Sequence, residues 1–300
     1  MPIQSNRNTF ILPFISPDAT LAAEGGKGEN LSLLVRSRFP VPSGFLITTA
    51  AYRAFVQANN LHKQIIALVN DHTVVSEKRS ATIRQLFEKG RISTDVAAAV
   101  NYAYANLVRE VGDLPLAVRS SATAEDLPGA SFAGQQDTYL NVRGKSGLLD
   151  AVQRCWSSLW TARALDYRSR QGIDPSAVSL AVIVQVMVPA EASGIMFTAN
   201  PINGARDEIV LDAAWGLGEA IVGGLVTPDH VVIDKVTGGI KQITIADKMV
   251  MTLPTATGTE ERPVEENKRH AYVLEAAQAT ELGKLGTEIE KYYGEPHNKN

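Results

Sequence analysis

Arg119 closes a short apolar run, Leu116-Ala-Val-Arg119, and a stretch of small and hydroxyl residues follows it up to Gly134, with a second glycine at Gly129. Thr138-Tyr-Leu-Asn-Val142 then reads as a second strand. A strand, an arginine, a glycine-rich loop and a strand make a device suited to phosphates. Small residues let backbone N–H groups approach an anion closely. A guanidinium offers a fixed fork of donors to phosphate oxygens. The same residues also fit a long hairpin whose loop is merely flexible.

Lys27 is the second cation in such a setting. It lies within Gly25-Gly-Lys-Gly28, ahead of a helical pattern with Leu31, Leu34 and Val35 on one face. An ammonium at a helix start can sit beside a phosphate, where the helix N-terminus also favours negative charge. The spacing is not that of a Walker A loop. A helix-entry turn with a solvated lysine is the plainer alternative.

Two further polar residues stand in unusual company. Gln185 interrupts the apolar run Val178–Val188, which suits a strand buried on both faces. A buried amide needs partners, and an adenine edge or a neighbouring strand could supply them. Glu219 lies in the glycine-bracketed segment Trp215-Gly-Leu-Gly-Glu-Ala-Ile-Val-Gly-Gly224. It could bind Mg²⁺ or a nucleotide hydroxyl, or simply cap a short helix.

The remaining candidates are weaker. Cys155, the single cysteine, excludes an intrachain disulfide and reads as a buried filler beside Val152, Trp156 and Leu159. His62 and His72 lack metal-ligand spacing. Arg163, Arg168 and Arg170 could reach a phosphate, though a solvated helix face suits them better.

The elements that must position these groups follow from periodicity. An edge strand fits somewhere in residues 10–24, and Phe45-Leu-Ile47 is a short strand. Thr48 or Thr49 opens a helix to about Asn60. Helices follow near 61–70 and 77–89, then from Ser93 to Gly112, making residues 50–112 largely helical. One long helix is expected from Gly144 or Ser146 to about Arg170, with both Trp156 and Trp160 in the core. Strands are expected over Ser193–Thr198 and Glu208–Asp212, and a hairpin over residues 230–245. Residues 252–263 read as a polar surface loop. A last helix spans about Glu266 to Tyr293, with Leu274, Leu282, Leu285 and Ile289 inward.

The chain has 300 residues, 45% hydrophobic and 20% charged, with a net charge of −3. Such a chain is long enough for two lobes and has ordinary globular composition. No basic stripe points to nucleic acid, no apolar run reaches membrane-spanning length, and no signal-peptide pattern is present. The expectation is a soluble, cytoplasmic protein.

Six motifs occur in one order: Gly25-Gly-Lys-Gly28, Val41-Pro-Ser-Gly-Phe45, Ala117-Val-Arg-Ser-Ser-Ala-Thr-Ala-Glu-Asp-Leu-Pro128, Ala130-Ser-Phe-Ala-Gly-Gln-Gln136, Ser193-Gly-Ile-Met-Phe-Thr198 and Gly216-Leu-Gly-Glu219. This series resembles the N-terminal nucleotide-binding domain of the dikinase family, which includes phosphoenolpyruvate synthase, pyruvate phosphate dikinase and rifampicin phosphotransferase. The resemblance covers nearly the whole chain. It implies an α+β, ATP-grasp fold: lobes over residues 1–184 and 185–300 with the nucleotide cleft between them, and a phosphate loop over 119–138.

Carried over motif by motif, Lys27 and Arg119 would contact ATP phosphates and serve catalysis. Gly129, Ser131, Gly134 and Gln135 would cover them, with Thr138 on the loop's far strand. Gln185, Met187 and Val188 would form the adenine-side hinge, and Glu219 would lie in the same cleft. The family uses ATP and Mg²⁺, leaves AMP, and phosphorylates a histidine on a swivelling domain. A third domain passes the group to pyruvate or to a rifamycin hydroxyl. Family members carry an acidic Asp-x-Glu-Trp strand after the helix that ends here near Gly294, and its carboxylates bind Mg²⁺. That strand, the phosphohistidine domain and the acceptor domain are absent from these residues, so the metal ligands stay unassigned. The expectation is an ATP-binding domain cut from a longer enzyme. A non-catalytic nucleotide-binding remnant and a structural module without nucleotide are the alternatives.

Overall fold

The computed structural model describes residues 9–123 and 137–294, with the backbone alone of Asn298–Lys299. The chain forms two compact units, Met1–Val188 and Pro189–Asn300, each a mixture of helices and antiparallel sheet. The class is α+β, as the sequence implies.

The first unit runs β1 (Ile11–Pro13), α1 (Leu21–Arg36), β2 (Gly44–Ile47), α2 (Thr49–Ala58), α3 (Leu61–Asn70), α4 (Ser76–Lys89), α5 (Thr94–Val111), β3 (Leu116–Ala122), β4 (Thr138–Val142), α6 (Gly144–Ser158), α7 (Ala162–Gln171) and β5 (Leu180–Val186). The sheet order is β1-β2-β5-β3-β4, with every neighbouring pair antiparallel. The last strand in sequence is thus the central one. Its continuous apolar run follows from burial on both faces.

Alternation along the strands divides the apolar side chains between the two faces. Phe45, Ile47, Leu116, Val118, Val182 and Val184 join the larger core with Tyr52, Phe55, Phe87, Trp156 and Trp160. Leu12, Phe14, Leu46 and Ile183 face the other way, against Ala23, Leu31 and Val35 of α1. Each fully buried Leu, Ile, Val or Phe among them contributes roughly 1.5–3 kcal/mol on burial. Within the larger core the Trp160 indole donates to the Tyr52 hydroxyl at 3.1 Å. Cys155 is buried there, and burial pushes its thiol pKa up. Both findings fit the reading of these residues as core.

The expected helix from 144 to 170 is two helices. The chain leaves α6 after Ser158, and Thr161 opens α7 by accepting from the Ala164 N–H at 3.3 Å. The Ser158 hydroxyl turns back to the Cys155 carbonyl at 2.7 Å. Hydroxyl side chains that bond nearby backbone groups favour helix ends over helix interiors. The apolar stripe continues through the break, which hides it. Arg168 is also corrected. It is buried rather than on a solvated face, stacks over Trp160 and donates to the Leu159 carbonyl at 2.6 Å.

The second unit runs β6 (Ala192–Phe197), β7 (Glu208–Trp215), α8 (Glu219–Val222), β8 (Asp229–Asp234), β9 (Ile240–Thr244), β10 (Val250–Pro254), β11 (Thr259–Pro263), α9 (Glu266–Arg269), α10 (Ala276–Tyr293) and β12 (Asn298–Lys299). Its main sheet is β12-β6-β7-β8-β9, again antiparallel throughout, and β10 and β11 form a separate two-stranded sheet. Residues 252–263 are therefore a hairpin and not a surface loop. Gly258, at φ +90°, makes the turn, and Thr255 donates to its carbonyl at 3.0 Å.

The last helix is also shorter than its pattern suggests. Helix α9 ends at Arg269, and α10 restarts behind a reciprocal cap between Glu275 and Gln278. Its buried face is Ala279, Gly283, Gly286 and Ile289, while Leu282 and Leu285 are only half-buried. A Cβ on Gly286 would come within 2.6 Å of the Met196 sulfur, so small residues let the helix lie close to the sheet.

A buried polar node fixes one corner of this unit. The Asp229 carboxylate accepts from the Lys248 ammonium at 2.6 Å, from the Ala246 N–H at 3.0 Å and from the Val273 N–H at 3.0 Å.

Candidate functional site

The segment Gly25–Gly28 lies inside α1, which begins at Leu21, four residues before the first of these glycines. The helix is broken there. Gly25 has φ 69° and ψ 172°, non-helical angles in a region open essentially to glycine. Gly25 therefore stands where the N-cap of a second helical segment would stand, and Lys27 lies in that segment's first turn.

The break is pinned to β3. A Cβ on Gly25 would lie 2.4 Å from the Ser121 carbonyl oxygen and 2.5 Å from its Oγ. The Gly28 N–H donates to that same Oγ at 3.0 Å. Ser121 is fully buried. Lys27 itself is half-buried, flanked by the buried Gly26 and Gly28.

Arg119 is two residues before Ser121 in β3, so both lie on the α1 side of the sheet. Arg119 is half-buried. It pairs with Thr138 of β4 on one side and with Ile183 of β5 on the other. Gln185 pairs with Ala117 of β3 and Gly44 of β2, and so belongs to the same face. One sheet face thus carries Arg119, Thr138 and Gln185, and the Lys27 turn rests on it at Ser121. Arg119, Lys27, Thr138 and Gln185 are separated by up to 158 residues in sequence; the strand order puts Arg119, Thr138 and Gln185 on one face, and the Gly28–Ser121 bond brings the Lys27 turn against it.

Gln185 finds its partner within the protein: its side-chain amide donates to the Pro42 carbonyl at 3.1 Å. Met187 follows β5 and is buried. Its N–H donates to the Pro115 carbonyl at 2.9 Å, and its sulfur accepts from the Asn141 N–H at 3.2 Å. Asn141 has φ +57°, and the β3–β4 register shifts beside it, between Leu116 and Val118. That irregularity turns a backbone N–H towards Met187. Val188, just beyond, is exposed.

Glu219 belongs to the second unit. It opens the four-residue α8, and its carboxylate accepts from the Thr259 hydroxyl at 2.8 Å. Gly129, Ser131, Gly134 and Gln135 lie outside the described residues. Among the described residues, no three His, Cys, Asp or Glu side chains gather as a metal site. No helix is long and apolar enough to cross a membrane, among the described residues.

Sequence reasoning missed two residues beside Lys27. Ser121 is one; alternation from Arg119 along the strand was the available signal. Glu24 is the other. It is fully buried, and its Oε2 accepts from the Ser32 hydroxyl at 2.8 Å, spanning the break at Gly25. Burial raises its pKa to about 7, against the downward pull of the Ser32 bond and Arg36; Glu29 adds to the rise. Nothing in its neighbourhood in the sequence marks it as buried.

This arrangement can present two cations from one sheet face to an anion, with a helix start beside them. The chain matches the family described as pyruvate phosphate dikinase, AMP/ATP-binding domain, over residues 22–298. It is 39% identical over 319 residues to phosphoenolpyruvate synthase of Pyrococcus furiosus, covering 91% of this chain and 39% of that one. It is 43% identical to a probable phosphoenolpyruvate synthase of Methanocaldococcus jannaschii, covering 91% of this chain and 24% of the relative. Rifampicin phosphotransferase of Streptomyces sviceus is 44% identical, over 94% of this chain and 32% of that protein. The chain therefore spans well under half the length of each of these relatives. With a match over nearly all its residues, the chain belongs to the pyruvate phosphate dikinase AMP/ATP-binding domain family.

Proposed function

We propose that this chain binds ATP as the nucleotide-binding domain of a dikinase, in which ATP is cleaved to AMP and a histidine on a swivelling domain takes up a phosphoryl group. The observation that carries the reading is the meeting of the Lys27 turn with the Arg119 face of the sheet at Ser121. Lys27 and Arg119 take the phosphates and offset the charge that spreads over them during transfer. Gly129, Ser131, Gly134 and Gln135 cover the phosphates, with Thr138 at the far end of that loop. Gln185 and Met187 form the adenine-side edge. The fold that goes with this reading is ATP-grasp, with the two units as its lobes. Magnesium enters as the ion carried by ATP.

The acceptor in this reading is pyruvate, giving phosphoenolpyruvate, in keeping with the relatives named phosphoenolpyruvate synthase. A rifamycin hydroxyl is the second reading, favoured by the slightly higher identity to rifampicin phosphotransferases.

Calorimetric titration with Mg-ATP tests the site. Saturable binding is expected, weakened at least about tenfold by Lys27→Ala and by Arg119→Ala, as for loss of a charge-assisted contact. Absence of binding at millimolar ATP would overturn the nucleotide reading. Product analysis of the chain joined to a phosphohistidine domain and an acceptor domain, offered pyruvate or a rifamycin, decides between the acceptors.

A further inference from the structure

We propose that Ser121 is a positioning residue for Lys27: from strand β3 it caps the helical segment that carries the lysine. This rests on the assignment of Lys27 to the phosphates.

A helix start leaves its first N–H groups without intrahelical partners, and the side chain of the N-cap residue commonly accepts from the N–H two or three positions on. In the second segment of α1, the N-cap place belongs to Gly25, which has no side chain to offer. Gly28 is three residues on, and its N–H donates at 3.0 Å to Ser121 Oγ, 93 residues away in sequence. The strand thus supplies the oxygen that the helix's own cap lacks. The two facts require each other: any side chain on Gly25 would collide with the Ser121 carbonyl and hydroxyl. Glycine at the cap lets the strand approach, and the approaching strand provides the cap.

The bond also sets the place of one cation relative to the other. Ser121 and Arg119 lie on one face of the same strand, two residues apart. Gly28 is next to Lys27. A single buried hydrogen bond therefore ties the backbone carrying the lysine to the backbone carrying the arginine. Leu46 holds the other side of Gly28, where a Cβ would come within 2.9 Å of its Cδ2. The lysine turn is confined between Leu46 and Ser121, and of these only the serine sets it by a directional bond. Ser121 does not touch the nucleotide in this scheme; it acts through Lys27.

The test is a double-mutant cycle on Mg-ATP affinity, using Ser121→Ala, Lys27→Ala and the pair. Removing a cap oxygen weakens what depends on it by about fivefold. Ser121→Ala is expected to lower ATP affinity by about that factor, and the double variant to bind no more weakly than Lys27→Ala alone. A residue that only stabilises the fold would lower the melting temperature without this dependence on Lys27. Ser121→Cys, nearly the same size but a weak acceptor, gives the same result if the alanine variant does not fold. Wild-type affinity in both serine variants, or a full additional loss in the double variant, would overturn the inference and leave the site standing. Unchanged affinity in Lys27→Ala would instead overturn the site reading, and this inference with it.

Discussion

The Arg168 guanidinium lies 4.8 Å from the centre of the Trp160 ring, and its terminal nitrogen donates to the carbonyl of Leu159 at the break between α6 and α7. The charge satisfies a carbonyl at that helix end and covers an aromatic face. Burial draws its pKa down to about 10, which leaves it charged at neutral pH. Arg168→Ala is expected to destabilise the protein by about 2–3 kcal/mol, by removing both the packing and the bond to a buried carbonyl. Chemical denaturation measures this. ATP affinity at full folding is expected to stay at the wild-type value; a loss there would return Arg168 to the binding residues.

Gly25→Ala tests the break in α1. The substitution strains the backbone by about 1–3 kcal/mol at these angles. It also drives a methyl to within 2.4 Å of the Ser121 carbonyl, so the helix must withdraw from the strand. A drop in melting temperature of about 5–10 °C is expected, with ATP affinity lowered in whatever protein folds. A melting temperature within a degree of wild type would show that the close approach is not required.

Glu24 gives a dependence on pH. Its folded pKa, about 7, is raised above the ordinary 4.5. Below the ordinary value the carboxyl is neutral whether folded or not, and its burial is not penalised. As pH rises from about 4.5 through 7, the unfolded chain loses its proton first, and stability falls. The charged groups bearing on it are Arg36, which opposes the shift, and Glu29, which adds to it. Glu24→Gln is expected to flatten the fall in melting temperature between pH 5 and 8 by about 5 °C. The same slope in both proteins would assign the dependence elsewhere.

The Asp229 and Lys248 pair predicts an asymmetry. Both side chains are buried, and Asp229 also holds two backbone N–H groups. Asp229→Ala strands the ammonium and both N–H groups, at about 3–5 kcal/mol. Lys248→Met leaves the carboxylate its backbone donors and is expected to cost less than half as much. Denaturation midpoints for the two variants check the order. Equal losses would mean that the backbone bonds add nothing.

Much of the first unit was legible because its signals were local. The apolar run at Val178–Val188 yields the central strand, and the glycines at 90 and 112 end helices where expected. Breaks set by single hydroxyl bonds were not legible. Thr161 caps α7 inside an unbroken apolar stripe, and periodicity carries a reader straight past it. The β10–β11 hairpin reads as loop because its residues are mostly polar and its strands end in Pro254 and Pro263. For the candidate site, Lys27 and Arg119 were visible through their glycines and hydroxyls. Alternation puts Ser121 on the face of Arg119, but its bond to Gly28 and the burial of Glu24 depend on tertiary contacts at the break in α1.

The place of β5 in its sheet has a consequence for how the chain is made. Gly44 pairs with Gln185, and Ala117 pairs with that same residue from the other side. Until β5 leaves the ribosome, β1–β2 and β3–β4 are two separate ribbons with no strand to join them. Closing a loop of that length delays the pairing and lengthens the time for which apolar edges stand open. The sheet of this unit is therefore completed late, when β5 enters between the two ribbons and pairs with β2 on one side and β3 on the other.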